Sequence, residues 1–165
     1  MKLRKLSLLA LSALLSLALG ACKPKSEEPM PASMPGTEFR RDATLTVTAP
    51  DGSLKATFEV EIAATQQAII QGLMYREEMA PNRGMLFDPD RLSDTYFWMK
   101  NTYIPLDIIF IDADQHVLNI ARDTVPFSTE QIPPDGVYRY VLEINAGLAQ
   151  QHHIAIGDKI EWTTE

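Results

Sequence analysis

Leu45, Val47 and Ala49 alternate with threonines, the period of two that a half-buried strand requires. Pro50-Asp51-Gly52-Ser53 supplies turn-forming residues, and Ala56, Phe58, Val60 and Ile62 then resume the alternation against Thr57, Glu59 and Glu61. The two runs predict a hairpin. Thr65 is placed to cap a helix over residues 66–74, where Ile69, Ile70, Leu73 and Met74 fall at helical spacing. Gly72 costs such a helix about 1 kcal/mol relative to alanine, so a local reason for it is expected. Further short strands are predicted over residues 85–87, 96–99, 106–111 and 117–121. Residues 138–144 alternate again, Asn145 is positioned to cap a short helix through Gln151, and Gly157-Asp158 turns the chain into a last strand over 159–162. Many short strands with one or two short helices predict a mainly β (α+β) fold: a compact single-domain sandwich or barrel-like sheet. Parallel βαβ winding is not expected, because long crossover helices are missing.

The pattern changes abruptly before Asp42. Lys2, Arg4 and Lys5 precede an uncharged apolar run from Leu6 to Leu19, which ends in Leu19-Gly20-Ala21-Cys22. The run falls short of the roughly 20 residues that span a bilayer, and its basic, apolar and small-residue order is that of a secretory signal. Small residues before a cysteine resemble the lipobox of bacterial lipoproteins, in which the signal over 1–21 is removed and the cysteine is acylated. Cys22 is the only cysteine, so no internal disulfide forms, and lipidation accounts for an exported chain keeping one. Lys23 in place of aspartate, by resemblance to Gram-negative lipoproteins, favours the outer membrane, facing the periplasm. Residues 22–41 carry Pro24, Pro29, Pro31 and Pro35 without apolar periodicity and read as a flexible tether. Residues 42–165, about 124 of them, match one domain with one core.

Charge narrows the partners. Losing residues 1–21 removes three cations, taking the formal charge from −7 to −10. So acidic a domain repels nucleic acid and anionic headgroups, which leaves acyl chains at Cys22 as the expected membrane contact.

The candidate chemistry centres on FWMKNTYIPLDIIFID, residues 97–112. If 106–111 is a strand, Leu106, Ile108 and Phe110 take one face and Asp107, Ile109 and Ile111 the other. Asp107 is then a carboxylate in an apolar strand and needs donors. Lys100, Asn101 and the amides of the following turn are local candidates, and Arg76 is one from elsewhere. Two readings stand. The group is a polar staple of the turn, or it floors a recess in which Trp98, Lys100, Asn101 and Asp107 bind a small polar or glycan ligand, with Arg76 and Glu143 in support. Phe97 and Trp98 should face opposite ways, one in the core and one exposed, with Tyr75, Tyr96 or Tyr103 nearby. Glu143 shares a face with Arg139, Val141 and Asn145, opposite Tyr138, Tyr140, Leu142 and Ile144, which makes it a surface or rim group.

Chemistry of other kinds finds less support. There is no G-x-S-x-G, H-E-x-x-H or Walker pattern, so the expectation is a binding or accessory module without cofactor or catalytic set. The alternative is a hydrolase-like enzyme acting on an envelope component, with Asp107 and Glu143 as a carboxylate pair. A third reading takes Met74, Met79, Met85 and Met99 as soft ligands for cuprous ion. His152 and His153 are adjacent and diverge on a helix, and His116 is isolated.

QGLMYR (71–76), GMLF (84–87), FWMKNTYIPLDIIFID, YVLEINAG (140–147) and IGD (156–158) resemble, in this order, the bacterial and archaeal family known as domain of unknown function 192. The resemblance spans about residues 54–162. It implies a compact, mainly β domain with a helix before GLM, and it carries over no catalytic residues. Asn145 departs from the family's usual residue, and His152-His153 is particular to this chain.

Overall fold

The computed structural model describes residues 38–164; the signal segment, Cys22 and most of the tether lie outside the described residues. Alternation produces the hairpin of β1 (Ala43–Thr48) and β2 (Leu54–Ala63), with Leu45 opposite Phe58 and Val47 opposite Ala56. Its turn is closed by the Ser53 amide donating to Asp51 Oδ1 at 2.9 Å. Thr65 caps α1 (Gln66–Gln71), its hydroxyl accepting from the Ala68 amide. The helix is shorter than its apolar spacing predicts, because Gly72 leaves it at φ +47°.

After α1 the chain returns as β3 (Arg83–Phe87), parallel to β2. This is a correction: one βαβ crossover exists, and a six-residue helix with its following loop suffices to make it. β4 (Leu106–Ile111), β5 (Val117–Ala121), β6 (Tyr140–Asn145), α2 (Leu148–Gln151) and β7 (Lys159–Thr164) complete a mostly β domain. Residues 96–99 form no strand, only a Phe97–Ile132 bridge. The sheet runs β5-β4-β6-β3-β2-β1-β7 and curls as a half-barrel. Its edge strands meet at one end, where the Val117 amide donates to Asp158 O and the Ile160 amide to Gln115 O, each at 2.8 Å.

Both faces of this sheet are buried. The face turned inward by the curl gathers Leu45, Phe58, Val60, Ile109, Leu142 and Ile160, with α2 packed beneath. The outer face carries a second cluster, including Leu73, Met85, Phe87, Met99, Phe110 and Val141, covered by α1 and the long loops. β4, central and buried on both sides, is therefore apolar at every position except Asp107. Tyr138 joins the outer cluster rather than the inner one, since β6 begins only at Tyr140. Phe39, Arg40 and Arg41, predicted to belong to the tether, contact the domain: Arg83 lies 4.1 Å from the Phe39 ring centroid, and Arg41 reaches Glu59 at 3.4 Å.

Asp107 faces inward, fully buried, and its donors are backbone amides: Asp123 N–H at 3.0 Å and Ala149 N–H at 2.9 Å. The expected local partners are not used. Lys100 is exposed, and Asn101 bonds elsewhere. The second bond explains a further difference. α2 begins at Gly147, which has no capping side chain, while Asn145 donates to Met79 O at 2.7 Å. A carboxylate from β4 thus takes the helix-capping role that local sequence assigned to Asn145.

Asp107→Ala is expected to destabilise the domain by about 2–4 kcal/mol, because the buried Ala149 amide and the part-buried Asp123 amide lose their acceptor. Lys100→Met should cost under about 1 kcal/mol, and the double variant should be additive within about 0.5 kcal/mol. Urea melts of the three variants decide this; a comparable loss for Lys100→Met with strong non-additivity would refute the assignment.

Candidate functional site

The crossover leaves a cleft on the outer face. α1 presents Ile69 and Ile70 without burying either, and Ile70 remains 64 % exposed. Gly72 then turns the chain over Phe87: a Cβ there would lie 3.2 Å from Phe87 Cζ, in a left-handed conformation. That is the local reason for the glycine. Leu73 and Met74 follow into the same wall. The opposite wall is the segment from Pro89 to Trp98, and between the two lies a volume of about 640 Å³ with Phe87, Tyr138 and Glu143 among its lining. This size falls in the range of sites for small molecules.

Glu143 is the unusual member. Alternation assigned it correctly to the face of Val141 and Asn145, but that face is covered, so the expected rim group is 5 % exposed. Its register neighbours are Met85 on β3 and Ile108 on β4, both apolar. Among the described residues no hydrogen bond or ion pair reaches its carboxyl. Burial without a compensating charge pushes the carboxyl up to about 8.

Trp98 shares this cleft with Glu143. It is 43 % exposed, edge-on to Tyr96 at 6.3 Å, and the Lys100 ammonium sits 5.6 Å from its ring centroid. Phe97 also lines the cleft but packs against Phe87 and Phe110 in the outer cluster, and no strand alternation is involved, since 96–99 forms only a bridge. The other candidates lie apart. Asn101, at φ 57°, exchanges bonds with the Tyr75 loop: its carbonyl accepts the Tyr75 amide and its side chain donates to Tyr75 Oη, each at 2.8 Å. Arg76 forms a buried bidentate pair with Glu61 of β2. Asp107 occupies the opposite face of the sheet from Glu143, since its register partner is Ile144 of the inner cluster. The two carboxylates therefore cannot flank one bond. Met85 and Met99 are buried in the outer cluster, Met79 packs at its edge and Met74 lines the cleft.

Several lining residues carried no sequence signal. Ser93, Thr95 and Tyr138 join in a hydroxyl chain with contacts of 2.9 Å, and Arg91 also lines the wall. Ser93, Thr95 and Arg91 lie in a long loop without periodicity, whereas Tyr138 was read as the inward-facing start of the strand over 138–144. The available clue was α1 itself, a helix with adjacent isoleucines too short to bury both.

The family described as uncharacterized ACR, domain of unknown function 192, matches residues 46–162. A crystal structure of a protein of unknown function from Novosphingobium aromaticivorans is 43% identical, covering 72% of this chain and 84% of that one, with a TM-score of 0.68. Another, described as "a putative transcription regulator" from Sinorhizobium meliloti, is 36% identical over 76% of this chain and 97% of that one, with a TM-score of 0.71. No functionally curated protein matches.

The raised Glu143 carboxyl links stability to pH. Folding favours its protonated form, so its contribution is complete below the ordinary value of 4.5 and erodes as pH rises toward about 8. Glu143→Gln should remove that slope, gaining on the native protein by a few kcal/mol, to order of magnitude, between about pH 5 and 8. Parallel stability–pH curves for the two proteins would contradict a buried, unpartnered carboxyl.

Proposed function

The chain belongs to the DUF192 family of uncharacterized proteins, and for this member we propose a non-enzymatic module of the bacterial cell envelope that binds a small ligand in the cleft above Glu143. Glu143 carries the reading. A carboxyl held dry without an internal partner costs free energy, and at a cleft wall a ligand can supply the missing partner. Trp98 and Tyr96 add exposed aromatic surface of the kind that stacks on a flat or sugar-like ligand.

The envelope assignment rests on the leader. The basic start, the apolar run and Leu19-Gly20-Ala21-Cys22 support a lipoprotein anchored by acyl chains at Cys22, with Lys23 favouring the outer membrane. The hydrolase-like alternative loses its acid–base pair, because Asp107 and Glu143 face opposite sides of the sheet. The description of the S. meliloti protein raises nucleic acid as a partner, but a formal charge of −7, or −10 without residues 1–21, opposes binding to phosphates.

Trp162→Phe leaves Trp98 as the sole tryptophan, so its emission reports on the cleft. Titration with a panel of aromatic fragments and short glycans is expected to shift that emission saturably; no response to any member would remove the binding reading. For the anchor, Cys22→Ser should release the protein from the membrane fraction or stall it as a precursor. Unchanged fractionation with undiminished lipid labelling would exclude acylation at this cysteine.

A further inference from the structure

We propose that the cleft selects uncharged molecules with a flat apolar body and a carbonyl-type acceptor, which takes a hydrogen bond from the Glu143 carboxyl. The inference rests on the binding reading above and names the class of its ligand.

The polar groups of the cleft differ in what they lack. Ser93, Thr95 and Tyr138 satisfy one another through contacts of 2.9 Å. The Thr102 hydroxyl turns to Lys100 O at 3.4 Å. Glu143 has no such arrangement. Gln66, Gln71 and Arg91 also make no side-chain bond among the described residues but are not buried, whereas Glu143 is, so it is the group a ligand would complete.

Two kinds of ligand can complete a carboxyl: a cation that pairs with its ionised form, or a neutral acceptor that takes its proton. A cation must first have the acid ionised between Met85 and Ile108, in a dry setting. It must also enter past Arg91, which lines the cleft, and Lys100, whose ammonium lies against Trp98. Glu143 is the only carboxylate among the lining residues, so no second acid offsets those cations. Glu61 shares its sheet face, two strands away, but is paired with Arg76. The remaining titratable groups facing the cleft are the phenols of Tyr96 and Tyr138.

A neutral acceptor meets none of these penalties. Burial raises the Glu143 carboxyl to about 8, so the protonated donor form predominates at neutral pH. A carboxylic acid kept neutral in an apolar site is a known hydrogen-bond donor to carbonyl oxygens. Phe87, Phe97, Tyr96 and Trp98 line the approach with aromatic rings, which suits a flat body.

Three probes of one skeleton test this on the full chain, read by chemical-shift changes at cleft residues: acetophenone, ethylbenzene and 1-phenylethylamine. Acetophenone should bind about tenfold more tightly than either of the others near neutral pH, the effect of one hydrogen bond made in a dry site. Its affinity should fall by about tenfold, toward that of ethylbenzene, between roughly pH 6.5 and 9.5, as the carboxyl loses its proton. Glu143→Gln keeps an N–H donor, so it should retain the preference for acetophenone and flatten the pH profile. Glu143→Leu should erase the preference over ethylbenzene; if that variant does not fold, the pH profile of Glu143→Gln decides. Tightest binding by the amine, a ketone preference that survives Glu143→Leu, or a flat native pH profile would each overturn the proposal. If all three probes bind alike, the cleft remains a binding site and only its selectivity is rejected. If none perturbs the cleft, the binding reading fails and this inference fails with it.

Discussion

Both faces of the central strands are dry, and that constraint governs the rest of the structure. β4 and β6 lie between an inner cluster plugged by α2 and an outer cluster covered by α1 and loops. A polar side chain at their buried positions has little access to bulk water and is stabilised by a partner inside the protein. Asp107 meets the constraint with two backbone amides from separate segments, which ties β4 to α2 and to the turn after β5. Glu61 meets it with Arg76, joining β2 to the loop after α1. Asp158 meets it at the end of the sheet where the edges converge, accepting Lys55 Nζ at 2.6 Å and the Ala155 amide at 2.7 Å. These are structural joints, each linking elements distant in sequence.

Glu143 stands apart because it shares the burial and lacks the joint. The difference arises one residue from Asp107's register partner: Ile144 points inward, and Glu143 points outward to where α1 fails to close over the sheet. A six-residue helix with a glycine at its end is too short to fill that space. The same shortness that makes the crossover possible leaves the cleft, its exposed isoleucine and its aromatic wall. Site and fold thus share one cause, and the unsatisfied group marks where the protein leaves its core incomplete.

The family phrases take on physical meaning in this frame. GLMYR and WMKNT interlock through Tyr75 and Asn101, both left-handed, each backbone fixed by the other's loop. GMLF begins with Gly84, where an added Cβ would lie 2.7 Å from the Glu143 carbonyl oxygen, closer than packed atoms approach. That glycine lets β3 lie against β6 and brings Phe87 beneath Gly72. Residues that read as a possible polar site in sequence mostly hold the walls of the cleft rather than face into it.

Periodicity alone was enough to determine the hairpin, the Thr65-capped helix, the face assignment along β4 and the mainly β class, because each depends on neighbours a few residues away. Phe97 is half-buried and Trp98 exposed as expected, but not by alternation, since residues 96–99 form no strand. Partner identity did not follow. Lys100 is seven residues from Asp107, yet the acceptor's bonds come from Asp123 and Ala149, because strand direction carries the carboxylate away from its sequence neighbours. Asn145 lost its capping role to a residue 38 positions earlier for the same reason. Alternation gave Glu143 the correct face, but an alternating strand cannot say whether its polar face meets water or a second layer. Only the parallel return of β3, which lays α1 and the long loops across that face, turned a rim glutamate into a buried one.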